Sequence, residues 1–127
     1  MEKGKTYVSR LLVTEECTAS VIGSGELPVL ATPVLVALME KAAMLAVADE
    51  LPDGSTTVGG SIDIKHLKPS AVGAEVVATA TLTEVDGRRL GFHVVAREGD
   101  AVVGEAEHQR FVVDKERFMS KLSQKEK

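Results

Sequence analysis

A long apolar segment in the first half of the chain constrains the fold most strongly. Residues 33 to 48 read PVLVALMEKAAMLAVA, with apolar side chains at nearly every position. Thr32 is a good helix N-cap and Pro33 is tolerated at the first helical position, so we predict a helix from this point to about Ala48. A helix without a polar face is normally enclosed by other structure. The rest of the chain must therefore wrap around this helix.

The sequence downstream alternates as β-strands do. The predicted strands are Thr56 to Leu67, Glu75 to Glu84, Arg88 to Arg97 and Ala101 to Val113. An earlier strand is predicted from Tyr7 to Val13, and part of Thr18 to Ile22 could belong to it. Short turns containing Gly87 and Gly99 join the last three strands, which indicates antiparallel hairpins.

The hairpin loops also fix which side chains share a face. A three-residue loop with Gly87 left-handed places the alternate apolar residues from Val76 to Leu82 on one face with those from Leu90 to Ala96. The last strand is predicted to add five residues to that face, while His93 points away from it. These five residues are Val102, Gly104, Ala106, His108 and Arg110. The small side chains at 104 and 106 leave room for the helix.

These elements predict the fold class. Asp114 is expected to cap a short helix over residues 115 to 122, with the tail frayed from about 122. A chain of 127 residues holds one core and not two. We therefore predict a single α+β domain over residues 1–127, with a curled antiparallel sheet of about five strands around one long buried helix.

Composition excludes several functional classes. The net charge of -4 and the presence of only four aromatic residues argue against nucleic-acid binding. The single Cys17 cannot form an internal disulfide, which fits a reducing compartment. The first residues lack the apolar core of a signal peptide, and Glu40 and Lys41 interrupt the apolar segment. The sequence thus predicts a cytoplasmic protein without a membrane span.

Glu40 is the most informative polar residue because it is a lone carboxylate within the apolar helix. Burying it ionised and unpaired would be costly, so it needs a partner or a chemical role. It could instead reach the helix edge or pair with a Lys or Arg. Its neighbour Lys41 is a poor partner because adjacent helical residues do not face each other.

His66 is a second candidate. Strand alternation places it with Val58, Ile62 and Ile64 on the face toward the helix, and the other face carries Thr57, Ser61, Asp63 and Lys65. It could be a core histidine with a satisfied hydrogen bond. A functional role is favoured because Glu40 lies on the element that this face covers.

Thr32 is the third candidate, as a helix cap, a reacting group or both. The helix start also offers the N–H groups of Val34 and Leu35 to a developing oxyanion. Thr32 and Glu40 are eight positions apart, about 12 Å along the axis and rotated by roughly 80°, so they cannot easily touch within one helix. Either Thr32 of one subunit meets Glu40 and His66 of another, or Thr32 lies in a loop folded back over the helix.

Four segments together resemble a known family. They are LATPVLVALMEKAAMLAVA, GGSIDIKHLKPSAVG, EVDGRRLGFHV and GEAEHQRFVV. From about residue 6 to residue 120 the chain resembles thioesterases of the fluoroacetyl-CoA thioesterase type. The resemblance implies a hotdog fold, a homodimer, and acyl-CoA hydrolysis by Thr32, Glu40 and His66. His108 and Arg110 match as well, without an assigned role.

Two positions depart from the family pattern. Pro33 and Lys41 stand where the fluoroacetate specialist is expected to carry a glycine and an aromatic residue. These departures argue against specificity for the fluoroacetyl group.

The predicted function is hydrolysis of a short acyl-CoA thioester to free acid and CoA, with Thr32, Glu40 and His66 catalytic. Lys65, Lys68, Arg88 and Arg89 are candidates for binding the CoA phosphates. No metal or cofactor is expected, since CoA is part of the substrate. A non-catalytic acyl-CoA binder and a hotdog dehydratase are the alternatives, and pairing of dimers into a tetramer stays open.

Overall fold

The sheet and one long helix define the architecture. A computed structural model describes residues 1–125, in which five strands form one antiparallel sheet of order β1-β3-β4-β5-β2. The strands are β1 Thr6–Leu12, β2 Ser55–His66, β3 Glu75–Asp86, β4 Arg89–Glu98 and β5 Ala101–Asp114. The α-helices are α1 Ala19–Ile22, α2 Thr32–Val47 and α3 Lys115–Lys125. The predicted α+β class is confirmed.

The core lies between α2 and one face of the sheet. Leu35, Met39 and Ala43 of α2 are fully buried against alternate residues of β3 and β4. Each large side chain buried in this way contributes about 1.5–3 kcal/mol. The predicted shared face is confirmed, and its members are Val76, Ala78, Ala80, Leu82, Leu90, Phe92, Val94 and Ala96.

The sheet covers α2 less completely than we predicted. Pro33, Ala37 and Lys41 are exposed and Glu40 is partly exposed, which leaves a stripe of the helix open in the single chain. The prediction of full enclosure is therefore wrong for one subunit. Only one apolar face of the helix packs against the sheet. Within the described part of one subunit, the apolar side chains outside that face are not fully covered.

Bulges, which our prediction omitted, set the register of three strands. The turn between β3 and β4 contains only Gly87 and Arg88, with Asp86 paired to Arg89, and the extra residue lies at Thr83. The expected three-residue loop is wrong, although Gly87 is left-handed as predicted, with φ of 60°. A bulge and a longer loop both add one residue to a hairpin. The alternate residues of β3 and β4 therefore still share one face, as predicted.

A second bulge lies in β2 between Gly59 and Ser61 and reverses the alternation there. Thr57, not Val58, therefore faces the helix, and both assignments in our prediction are wrong. Beyond the bulge the predicted face holds, with His66 on the helix side opposite Gly104.

A third irregularity shifts β5 against β4 after Ala96. Val103 enters the core in place of the predicted Val102, whereas the prediction holds from Gly104 to Arg110. His93 points away from the helix as predicted and contacts Glu105 and Glu107 on the outer face.

Three local predictions also have an outcome. Thr18 makes only an isolated bridge to Leu30, and the segment after it forms α1 rather than a strand. The N-cap at Asp114 is confirmed by the bond from the Arg117 N–H to the Asp114 carboxylate at 2.9 Å. The terminal helix continues to Lys125, past the predicted start of fraying, and residues 126 and 127 lie outside the described residues.

Gly104 is the point of closest approach between β5 and α2. A Cβ atom there would lie 2.9 Å from Leu35 Cδ2 and 3.2 Å from Met39 Cε. We expect Gly104→Val to lower the free energy of unfolding by about 1–3 kcal/mol because the helix must move away. Urea unfolding measures this change, with Gln109→Val on the outer face of the same strand as control. Equal stability of the two variants would contradict the packing described.

Candidate functional site

The start of α2 and the end of β2 bring Thr32 and His66 together. The Thr32 hydroxyl oxygen lies 2.8 Å from His66 Nδ1 within the same chain. The N-cap of α2 is Ala31, and no side chain caps the helix. The expectation that Thr32 caps α2 is therefore wrong, since its hydroxyl bonds to the histidine.

The backbone donors at the helix start are already used. The N–H groups of Val34 and Leu35 both donate to the Ala31 carbonyl at 3.1 Å. Our prediction that these two N–H groups hold an oxyanion is therefore wrong, because neither is free. The helix begins one residue earlier than expected, so its first turn consumes these two donors.

Burial favours the neutral form of His66. Burial lowers the pKa of His66 below its usual value, and the Lys68 backbone opposes this effect in part. Its second ring nitrogen, Nε2, is buried and has no hydrogen-bond partner among residues 1–125. A buried nitrogen without a partner is costly, so this atom is suited to meet a group from outside the chain.

A cleft of about 290 Å³ opens beside this pair. Leu30 and Leu67 supply apolar walls, and Lys68 is the cation among its lining residues. The cleft therefore combines a hydroxyl, an imidazole and one positive charge between apolar walls.

The other predicted phosphate ligands lie elsewhere in the single chain. Lys65 lines a depression on the outer face of the sheet, beside His93. Arg88 lines a small pocket against α3. Arg89 forms ion pairs with Glu84 at 2.6 Å and Asp86 at 2.9 Å. Only Lys68 of the four lines the cleft with Thr32 and His66.

Glu40 occupies a separate position in the middle of α2. Its carboxylate lies 3.6 Å from Arg110 Nη1, and its side chain is 40% exposed. It also faces β2, where a Cβ atom at Gly59 would come within 2.7 Å of Glu40 Oε2. The alternative that Glu40 pairs with a cation is thus realised, with Arg110 rather than its neighbour Lys41.

Sequence reasoning missed the polar network that surrounds Arg110. This guanidinium is almost fully buried and donates to the Thr57 hydroxyl at 2.8 Å and the Thr57 carbonyl at 2.9 Å. It also contacts His108 Nε2 at 3.2 Å. The available signal was the pair of polar residues at 108 and 110 on the face predicted to meet the helix.

The three predicted catalytic residues therefore form two groups in one chain. Thr32 and His66 meet directly, so the expectation that Thr32 of one subunit contacts His66 of another is wrong. Within residues 1–125, Glu40 makes no hydrogen bond to either of them. The separation of eight residues along α2 accounts for this arrangement.

Two further observations concern metals and membranes. The part of the chain that the structure describes contains no group of three or more His, Cys, Asp or Glu side chains placed to bind a metal. None of its helices is both long and apolar enough to cross a membrane.

The lowered pKa of His66 links stability to pH. Unfolded His66 titrates near 6.5, whereas the folded protein takes up that proton only at lower pH. The contribution of His66 to the free energy of unfolding is therefore complete above about pH 6.5, and it is lost as the pH falls toward the pKa of the folded protein. We expect the free energy of unfolding, measured in urea between about pH 7.5 and pH 5, to fall less steeply for His66→Gln than for the unchanged protein. Parallel curves would contradict burial of a neutral His66.

The fold agrees with comparisons to known proteins. The sequence profile of the fluoroacetyl-CoA-specific thioesterase (FlK) matches residues 13–116. A fluoroacetyl-CoA thioesterase from Streptantibioticus cattleyicolor is 38% identical over 97 residues, which are 76% of this chain and 70% of that protein. A solved structure of the fluoroacetyl-CoA thioesterase FlK superimposes with a TM-score of 0.92 at 33% identity, covering 98% of this chain and 97% of that one.

The fold is shared more widely. A hot-dog-like protein from Thermanaerovibrio acidaminovorans has a TM-score of 0.90 at 21% identity, over 98% of this chain and 93% of that one. At this identity the likeness concerns the hotdog fold alone. The profile match and the 38% identical relative go further: the chain belongs to the fluoroacetyl-CoA-specific thioesterase family and is a thioester hydrolase of the hotdog fold.

Proposed function

We propose that this protein hydrolyses short acyl-CoA thioesters with Thr32 and His66 of one subunit and Glu40 of the partner subunit. The hydrogen bond between Thr32 and His66 beside an open cleft is the observation that carries this proposal. A hydroxyl bonded to a neutral imidazole is the arrangement of an activated nucleophile and its base.

The chemistry follows from this pair. Thr32 Oγ1 attacks the thioester carbonyl carbon while its proton passes to His66 Nδ1. The C–S bond then breaks, the CoA sulfur receives that proton, and the acyl group stays on Thr32 as an ester. Water hydrolyses this ester and regenerates the hydroxyl.

In a second route the acyl group never resides on Thr32, and Glu40 attacks the carbonyl or activates water. Trapping an acyl ester on Thr32 separates the two routes.

A homodimer would bring Glu40 to the other two residues. Glu40 is partly exposed, the neighbouring stripe of α2 is open, and β2 is an edge strand of the sheet. His66 Nε2 is a buried atom that has no partner in the described part of this chain. An edge strand readily pairs with a second copy of itself across a two-fold axis. Such pairing supports a site completed by Glu40 of the partner subunit.

The cleft favours a small acyl group. Its volume of about 290 Å³ lies at the lower end of the range for ligand pockets.

Lys68 at this cleft is the first candidate for a CoA phosphate, and Lys65, Arg88 and Arg89 would take part only where the bound CoA or a second subunit reaches them. An acyl-CoA substrate and the single free Cys17 favour a cytoplasmic location.

Substitutions at the three residues test the reaction. We expect His66→Asn and Glu40→Gln each to lower kcat/KM by about 10²–10⁴-fold, because each removes a proton-transfer group. Thr32→Ser should retain more activity than Thr32→Ala, because the hydroxyl is kept. The assay follows release of free CoA with a thiol reagent, over a panel from acetyl-CoA and fluoroacetyl-CoA to longer acyl-CoAs.

Glu75→Gln is the matched control, since it makes the same change at an exposed carboxylate of β3 that lies outside the proposed site. Unchanged turnover in Glu40→Gln would remove Glu40 from the chemistry. Binding of acyl-CoA without thiol release by the unchanged protein would favour the non-catalytic alternative. Formation or loss of a double bond in the acyl chain would favour the dehydratase.

Mixing inactive variants tests the shared site. Subunits of Thr32→Ala and Glu40→Gln, unfolded together and refolded, should recover about one quarter of the unmodified activity, because half of the dimers then carry one intact site. Thr32→Ala mixed with His66→Asn should recover none, since both residues come from the same subunit. No recovery in the first mixture, with dimers present, would contradict the shared site.

A further inference from the structure

The hydrogen bonds around His108, beside the ion pair of Glu40 and Arg110, determine which of its ring nitrogens carries the proton. His108 Nδ1 lies 2.7 Å from the Ser61 carbonyl oxygen, which can only accept a hydrogen bond. Nδ1 must therefore carry the proton. His108 Nε2 lies 3.2 Å from Arg110 Nη1, which can only donate. Nε2 must therefore be unprotonated, so His108 is neutral and accepts a hydrogen bond from Arg110.

Arg110 connects this histidine to Glu40. Its Nη1 group lies between His108 Nε2 at 3.2 Å and Glu40 Oε2 at 3.6 Å. Its other nitrogens are fixed on Thr57. The position of Nη1, and with it the favourable charge beside Glu40, therefore depends on an acceptor at His108.

We infer that His108 is a titratable positioning residue, which in its neutral form holds Arg110 against Glu40 and on protonation releases it. This inference rests on the proposed role of Glu40 in hydrolysis. A proton on Nε2 would place an N–H group and a positive charge against the Arg110 donor. The hydrogen bond would be lost and two cations would repel each other across a buried contact.

The surroundings of His108 favour its neutral form. Burial lowers its pKa most, and the Arg110 charge lowers it further, while the Ser61 carbonyl and Glu40 act in the opposite direction. Glu40 from α2 and Arg110 from β5 are the charged groups that act on it, β2 contributes the Ser61 carbonyl, and β4 contributes the Phe92 ring, at 6.3 Å between centroids. The switch thus operates below the usual titration range of histidine, on the acid side of pH 6.5.

The acid limb of kcat/KM tests the inference in the full-length protein. If only the protonation of His66 inactivates the enzyme, kcat/KM falls about tenfold for each pH unit on the acid side. If the protonation of His66 and that of His108 each inactivate it independently, kcat/KM falls about a hundredfold for each pH unit. We expect the steeper limb in the unchanged protein and in the control His93→Gln, whose histidine lies on the outer face. His108→Gln, which keeps a neutral acceptor, should show the shallower limb.

A third variant separates positioning from folding. His108→Leu removes the acceptor, and we expect kcat to fall at least tenfold with little change in KM, because Glu40 acts on the reacting bond. His108→Gln should recover most of this loss. A limb of the same slope in the unchanged protein and His108→Gln would overturn the inference, and so would equal kcat values for His108→Leu and His108→Gln.

NMR of the free protein tests the network without any turnover. Long-range proton–nitrogen spectra should show His108 as the Nδ1–H tautomer, and the Arg110 Nε–H resonance should shift with the His108 midpoint, a shift that is lost in His108→Gln. An Nε2–H tautomer, or an Arg110 resonance independent of His108, would overturn the inference. Absence of thiol release from every acyl-CoA would overturn the proposed function instead, while these spectra still decide on the network.

Discussion

The bulge at Gly59 and Gly60 in β2 is the constraint on which both parts of the site depend. It reverses the alternation of the strand, so that Thr57 faces α2 before the bulge and His66 faces it at the far end. Thr57 can then bind Arg110, and His66 can meet Thr32. A Cβ atom at Gly59 would also collide with the Glu40 carboxylate. One extra residue in an edge strand thus positions groups at the start and in the middle of the helix.

The two inward-facing histidines differ in their hydrogen-bond partners, although burial favours the neutral form of both. His108 is fixed by a carbonyl on one side and a guanidinium on the other. His66 has Thr32 on one side and, among residues 1–125, no partner on the other. Burial lowers both pKa values. The difference lies in the free nitrogen. In the proposed reaction His66 accepts the Thr32 proton at Nδ1 while its open Nε2 is available to Glu40 of the partner subunit, whereas the fully bonded His108 positions Arg110.

Pattern recognition predicted the elements and the shared apolar face but not the local registers. Period-two alternation predicted the strands and correctly directed His66 inward, because burial of one face constrains a strand strongly. Alternation alone does not show the residue that a bulge adds, which is why Thr57 and Val58 are exchanged in our prediction and Val103 is absent from it. In β2 the available signal was Gly59 and Gly60 inside the strand. The contact between Thr32 and His66 depends on tertiary placement of two chain ends, and the pairing of Glu40 with Arg110 depends on strand order. Neither follows from spacing along the chain.

A co-crystal structure with a stable acyl-CoA analogue, in which a methylene group separates the carbonyl from the sulfur, would show whether the site combines Thr32 and His66 with Glu40 of the partner subunit. We expect a carbonyl carbon within about 4 Å of Thr32 Oγ1, with Glu40 of the partner subunit beside His66 Nε2. An acyl group bound away from Thr32, or a dimer in which that carboxylate faces solvent far from the imidazole, would contradict this arrangement.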